Sequence, residues 1–241
     1  MSKKLLTILI LTFAVFSMAV SSFAMSTGEV YGETPSLAEQ YAELSDEQKE
    51  IFSAKLNRDR TTLADIPATA SANATWRYVA YFEGFTQETK YWCVPASCQA
   101  AVNCLTGVKP SQSSIASALG MVDGHGIAFA YARSYLNSAQ SNNLYIHMAS
   151  TTAEDVMQGD FYDAMQFDAP VLISTKFLSE GGWQYDCTRG HTMCIYGMTT
   201  DLEQVAISDP YAERIGWNMY DTQSFDNVRL AIIENGCGYM Y

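Results

Sequence analysis

The stretch Tyr91-Trp92-Cys93-Val94-Pro95-Ala96-Ser97-Cys98-Gln99-Ala100-Ala101-Val102-Asn103 constrains the fold more than any other part of the chain. Two aromatics lead into a Cys-Val-Pro break, and a run of small, mostly apolar residues follows. That pattern predicts an extended segment turning into a helix buried on most of its faces. Pro95 suits a first helical turn, where its missing N–H leaves no bond unmade. Cys93 then sits at the helix N-terminus, where unpaired N–H groups and the helix dipole favour negative charge. Such a place favours the thiolate, the form of cysteine that attacks. Cys93 is therefore the candidate nucleophile. The competing reading is a buried structural cysteine or half of a disulfide.

The chain opens Met1-Ser2-Lys3-Lys4, runs apolar from Leu5 to about Val20, and reaches Ser21-Ser22-Phe23-Ala24. A charged start, an apolar middle and a small-x-small end predict an export signal over residues 1–24, cleaved after Ala24. The apolar run is short for a membrane span, which needs about 20 residues. No cysteine lies at the cleavage point, so no membrane anchor is expected and the protein is expected to be secreted. Cleavage removes Lys3 and Lys4 and takes the formal charge from -12 to -14. So acidic a chain is poorly suited to nucleic acid or anionic lipid.

Residues 25–75 are rich in Ala, Thr, Ser and Glu. Ser36 to Asn57 carries a helical pattern with a cap or break at Ser45-Asp46-Glu47-Gln48, and Thr61 to Thr75 reads as a linker. This region is either a spacer or a pro-segment that covers a site until removed. Residues 76–241 are long enough for one well-cored domain. A strand is expected over Trp76 to Phe82, the buried helix over Val94 to Leu105, and further helices over Ser111 to Leu119, from Gly124 to Ala139, and over Thr152 to Phe167 with Thr152 as cap. Strands are expected over Leu144 to Met148, Pro170 to Thr175, His191 to Met198 and Val205 to Ser208, with Ile215, Trp217 and Phe225 continuing the β pattern. Helices first and an antiparallel sheet second make an α+β domain.

A cysteine nucleophile needs a base, and the base an orienting group. Of the three histidines, His191 follows Gly190 and opens an apolar strand; His125 lies between glycines and His147 in a short strand. His191 is the candidate base, with small Gly190 allowing close approach. Asp209, in Ser208-Asp209-Pro210, ends the partner strand of a hairpin and can accept from the imidazole. The oxyanion formed on attack needs donors: the backbone N–H of Cys93 and, six residues upstream, the amide of Gln87. Trp92 and Trp183, with Tyr91 and Trp217, are candidates to line a cleft. The other cysteines are Cys98, Cys104, Cys187, Cys194 and Cys237; Cys98 with Cys194, and Cys187 with Cys237, are candidate disulfides in an exported protein. No metal site and no cofactor are expected.

Gln87, the Cys93-Val94-Pro95-Ala96-Ser97 element, Gly190-His191 and Asp209-Pro210 together resemble the papain-like cysteine peptidases of the bacteriocin-processing, double-glycine type, and more closely their secreted stand-alone relatives. The resemblance covers about residues 76–241. Val94 stands where that family commonly has Gly. What it implies is a papain-like fold with the nucleophile helix packed on a C-terminal antiparallel sheet, a peptide or protein substrate, and catalytic roles for Cys93, His191, Asp209 and Gln87. Two alternatives stay open. One is a catalytically silent binding module of the same fold. The other is an acyltransferase or deamidase using the same groups.

Overall fold

The computed structural model describes residues 31–58, 74–122 and 124–241. The expected export signal and most of the Thr61–Thr75 linker lie outside the described residues.

The sheet is built around one long strand, β4 (Cys187–Thr199). β3 (Val171–Phe177) and β5 (Gln204–Ser208) flank it, both antiparallel. The full order is β2 (His147–Met148), β7 (Tyr239–Met240), β3, β4, β5, β6 (Tyr220–Ser224), and β1 (Trp76–Tyr78) pairs with the far end of β4. The central strands read as apolar runs because both faces of the sheet are covered. Leu172 and Cys194 point into a core with α3 (Cys93–Thr106), α4 (Gln112–Ala118) and α5 (Ala130–Ala139). Their neighbours Val171, Ile173, Met193 and Ile195 point into a second core with α6 (Glu154–Gln166) and α7 (Phe225–Asn235). This alternation is the period-2 geometry of a strand.

The first ten residues of α3 are all buried. Small side chains on every face let other elements approach it closely, and Gly107, at φ 71°, ends it. Two bonds fasten α3 to β4. Ser97 Oγ donates to the Thr192 carbonyl at 3.2 Å, and the Cys194 thiol donates to the Ser97 carbonyl at 3.5 Å. Ser97 lies one turn after Cys93, and Thr192 directly follows His191. These bonds therefore set the helix start against the histidine.

The α+β architecture and the helix-then-sheet order are as the sequence indicates. Several boundaries differ. The helix expected from Gly124 begins only at Ala130, because residues 124–129 form an irregular segment that buries Ile127 and Phe129. Thr152 does not cap α6; its hydroxyl donates to the Ala149 carbonyl, and Ala153 takes the cap position, with Glu154 and Asp155 in the first turn favouring the dipole. Phe225 opens α7 and does not continue the sheet. Ser224 caps that helix by accepting from Asn227 N–H, and Val228, Ala231 and Ile232 form its buried stripe. None of the six cysteines is in a disulfide, so neither candidate pairing is formed. Cys98 and Cys194 are packed in the core as small apolar groups.

The extension folds as α1 (Leu37–Ala42) and α2 (Asp46–Leu56), parted at Ser45, whose side chain accepts from Gln48 N–H in a capping box. Gln40 is fully buried. Its amide donates to the His147 carbonyl at 2.7 Å and accepts from His147 N–H at 2.9 Å, as a neighbouring strand would. No helix among the described residues is long and apolar enough to cross a membrane.

Ser97→Ala removes one bond from the α3–β4 seam. The expected loss is about 1 kcal/mol of stability, read as a lower denaturant midpoint at unchanged slope. An unchanged midpoint would show that the hydroxyl does not fasten the seam.

Candidate active site

Cys93, Gln87, Gly190 and His191 line one cleft of about 290 Å³, together with Lys90, Tyr185, Asp186, Cys187, Thr188, Arg189 and Tyr211. Cys93 is the first residue of α3, and its thiol lies within hydrogen-bonding contact of the His191 side chain. His191 Nε2 meets Asp209 Oδ1 at 2.6 Å, which leaves Nδ1 as the ring nitrogen for the sulfur. Asp209 stands just past the end of β5, the strand that pairs with β4. Tyr211 N–H donates to Asp209 Oδ1 at 2.8 Å, and the Tyr185 hydroxyl donates to Asp209 Oδ2 at 2.8 Å.

Gly190 does more than leave room. Its φ is 85°, a left-handed value that costs other residues strain. The β3–β4 pairing shifts register at this point, between the Thr175–His191 and Phe177–Cys187 pairs. The glycine absorbs that irregularity and turns His191 toward the helix.

Gln87 is buried, and its loop is pinned from several sides. Its N–H donates to the Pro210 carbonyl at 2.8 Å, and Arg214 donates to the carbonyls of Gln87 and Glu88. Buried Gln112 accepts from Glu88 N–H and donates to the Thr86 carbonyl and to Gln99. Gln87 Nε2 donates one hydrogen to the Thr89 carbonyl at 2.7 Å. An amide nitrogen carries a second hydrogen.

The electrostatics of the His191–Asp209 pair follow from its burial. Burial opposes the charged form of both groups, but the mutual attraction is stronger. The Asp209 carboxylate, its hydrogen bond and contact with Cys93 hold His191 well above the ordinary imidazole value of 6.5. Against burial, the His191 charge, its hydrogen bond and the donors from Tyr211 and Tyr185 hold Asp209 below its ordinary value of 3.8. Both shifts favour the imidazolium–carboxylate form of the pair. The other five thiols are pushed up by burial, Cys104 to about 11 and Cys194 to about 12. They are held as inert thiols.

The remaining sequence candidates lie elsewhere. Trp92 is the N-cap residue of α3, half-buried, and does not line the cleft. Trp183 stacks on Phe177 at 4.2 Å and lines a neighbouring apolar groove of about 660 Å³ that meets the cleft at Cys187 and Thr188. Trp217 is half exposed on a turn. His125 is exposed, and His147 is a core residue whose Nε2 meets the Cys237 carbonyl at 2.6 Å; burial lowers it to about 4. Among the described residues no three His, Cys, Asp or Glu side chains cluster as a metal site would. Sequence reasoning missed Tyr185 and the Gln99–Gln112 brace. Neither leaves a spacing signal, because each acts through a contact made only in the folded chain. A thiol, an imidazolium and a carboxylate in line, beside helix N–H groups and an amide, can carry nucleophilic acyl chemistry.

The sequence model of the Peptidase_C39 like family matches residues 79–234. Among solved structures, xylellain, a cysteine protease from Xylella fastidiosa, is similar at a TM-score of 0.51 and 11% identity, covering 85% of this chain and 93% of that one. The peptidase domain of Streptococcus ComA, a bifunctional ABC transporter involved in quorum sensing, is similar at a TM-score of 0.44 and 15% identity, covering 66% of this chain and 96% of that one. Recombinant stem bromelain precursor gives 0.47 at 12% identity, covering 90% and 77%. No curated protein sequence matches the chain.

The ion pair sets a pH window for stability. Asp209, lowered on folding, contributes fully above about 3.8, and that contribution is lost as pH falls through its folded value. His191, raised on folding, contributes fully below about 6.5, and its share is lost as pH rises through its folded value. The stability difference between the wild type and Asp209→Asn is therefore expected to be largest between these limits and to shrink on both sides. Denaturant titrations from pH 3 to pH 10 measure it. A difference that does not change with pH would mean the pair is not charged in the folded protein.

Proposed function

The chain belongs to the Peptidase_C39 like family and is a papain-like cysteine-type peptidase, and we propose that Cys93, His191 and Asp209 form its catalytic triad in an exported protein, with Gln87 as oxyanion donor. The observation that carries this reading is the contact line from Cys93 through His191 to Asp209 at the mouth of a buried helix.

In this mechanism the Cys93 thiolate attacks a peptide carbonyl carbon. A C–S bond forms, and the carbonyl electron pair moves to oxygen. The oxyanion receives the backbone N–H of Cys93 and the second Nε2 hydrogen of Gln87. The C–N bond then breaks as the His191 imidazolium gives its proton to the departing amine. Water replaces the amine. Now neutral, His191 takes a proton from that water, whose oxygen attacks the thioester. The acid product leaves and the thiolate–imidazolium pair is restored. Asp209 keeps Nε2 in hydrogen bond throughout, so the ring presents Nδ1 to the reacting atoms.

A silent binding module gives no reason for these side chains to meet, whereas their convergence supports turnover. The N-terminal sequence supports export: a basic start, an apolar run and a small-x-small site over residues 1–24. None of the described residues of the extension lines the cleft. The substrate is a peptide or protein.

Purified protein and its Cys93→Ala variant, each incubated with a peptide library and read by mass spectrometry, test the proposal. The wild type is expected to cleave, while the variant and His191→Ala lose on the order of 10³-fold or more in rate. Cleavage that survives Cys93→Ala would remove the thiol from the chemistry.

A further inference from the structure

We propose that Tyr185 is a positioning residue of this site: its hydroxyl fixes the Asp209 carboxylate in the plane from which it holds the His191 imidazole. This rests on the roles proposed above for Cys93, His191 and Asp209.

A carboxylate bonded through one oxygen alone can rock about its Cβ–Cγ bond. Here Oδ1 already serves both His191 Nε2 and Tyr211 N–H. Oδ2 is taken by Tyr185, so both oxygens are committed and the plane is set. The phenol is itself immobilised. Its ring meets Phe177 edge-on at 5.2 Å and 74°, Phe177 stacks on Trp183, and on the other side Tyr185 lies tilted against Tyr211 at 5.9 Å. Burial and the Asp209 charge raise the phenol far above the ordinary tyrosine range, so it keeps its proton and remains a donor.

Space behind the pair is scarce. The small pocket between Trp183, Tyr185, Met193, Ile207, Asp209 and Asp221 has about 10 Å³, at the lower limit for one water. Water is therefore a poor substitute for the hydroxyl. The ionisable groups around Asp209 are His191 and Cys187 from β4, Tyr185 from the preceding loop, Tyr211 from its own turn, Asp221 from β6 and, beyond His191, Cys93 from α3. Of the side chains among these, His191 and Tyr185 hydrogen-bond the carboxylate.

The test is Tyr185→Phe in the full chain, which keeps the ring and its packing. Two readouts are taken across pH. One is kcat and KM on a peptide that the wild type cleaves. The other is the rate at which iodoacetamide alkylates Cys93, which needs no turnover. Without the phenol the carboxylate binds a proton more readily, so the acid limb of the alkylation profile is expected to move up by about half a unit to one unit. In parallel kcat falls about tenfold, with KM within about twofold. In an Asp209→Asn background the same change is expected to add nothing, because the hydroxyl acts through the carboxylate. An unmoved alkylation profile, or an equal loss with and without Asp209, would overturn the assignment and leave Tyr185 a packing residue. If no peptide is cleaved but the profile moves, the peptidase reading fails and the positioning role stands.

Discussion

The site depends on how closely α3 can lie against β4. A thiol at a helix start and an imidazole on a strand meet only if helix and sheet pack with almost nothing between them. The small residues after Pro95 allow that approach, and the Ser97–Thr192 and Cys194–Ser97 bonds fix its register. Both bonds involve residues within one turn of Cys93 or within three positions of His191. A slip of one residue along β4 would carry His191 to the opposite face of the sheet.

The other two groups reach the site by less regular routes. Asp209 arrives because β5 ends there, and its own N–H donates to the Met219 carbonyl at 2.8 Å, tying the turn to the approach of β6. Gln87 comes on a loop with no strand or helix of its own. Its backbone is held by Pro210, Arg214 and Gln112, which belong to the Asp209 turn, the turn after it and α4. The Gln87 loop and the Asp209 turn thus brace each other across the cleft. Each amide in the buried Gln99–Gln112 pair behind them is hydrogen-bonded, as burial demands.

Much of this was legible because the decisive signals are local. Cys-Val-Pro followed by small residues marks a buried helix start. Gly-His before an apolar run marks a strand with a special backbone, and the distance from His191 to Asp209 is that of one hairpin. What stayed hidden depends on long-range contact. Tyr185 looks like any loop tyrosine until Asp209 folds against it. Phe225 reads as strand because aromatic residues favour sheets, yet Ser224 supplies a cap and the following stripe has helical spacing. The cysteines of an exported protein suggested cystines, whereas helix and sheet pack Cys98 and Cys194 as thiols in the core and form neither bridge.

Gln40 has a consequence beyond its own helix. β2 is an outermost strand of the sheet, and a bare strand margin is a template on which another chain can add itself. By occupying both backbone groups of His147, one glutamine side chain finishes that margin like a selvedge on cloth. Any processing event that freed the polypeptide ahead of residue 59 would unpick it. The shortened enzyme would then have to keep that helix bound without a covalent tie, or present an adhesive border to its neighbours.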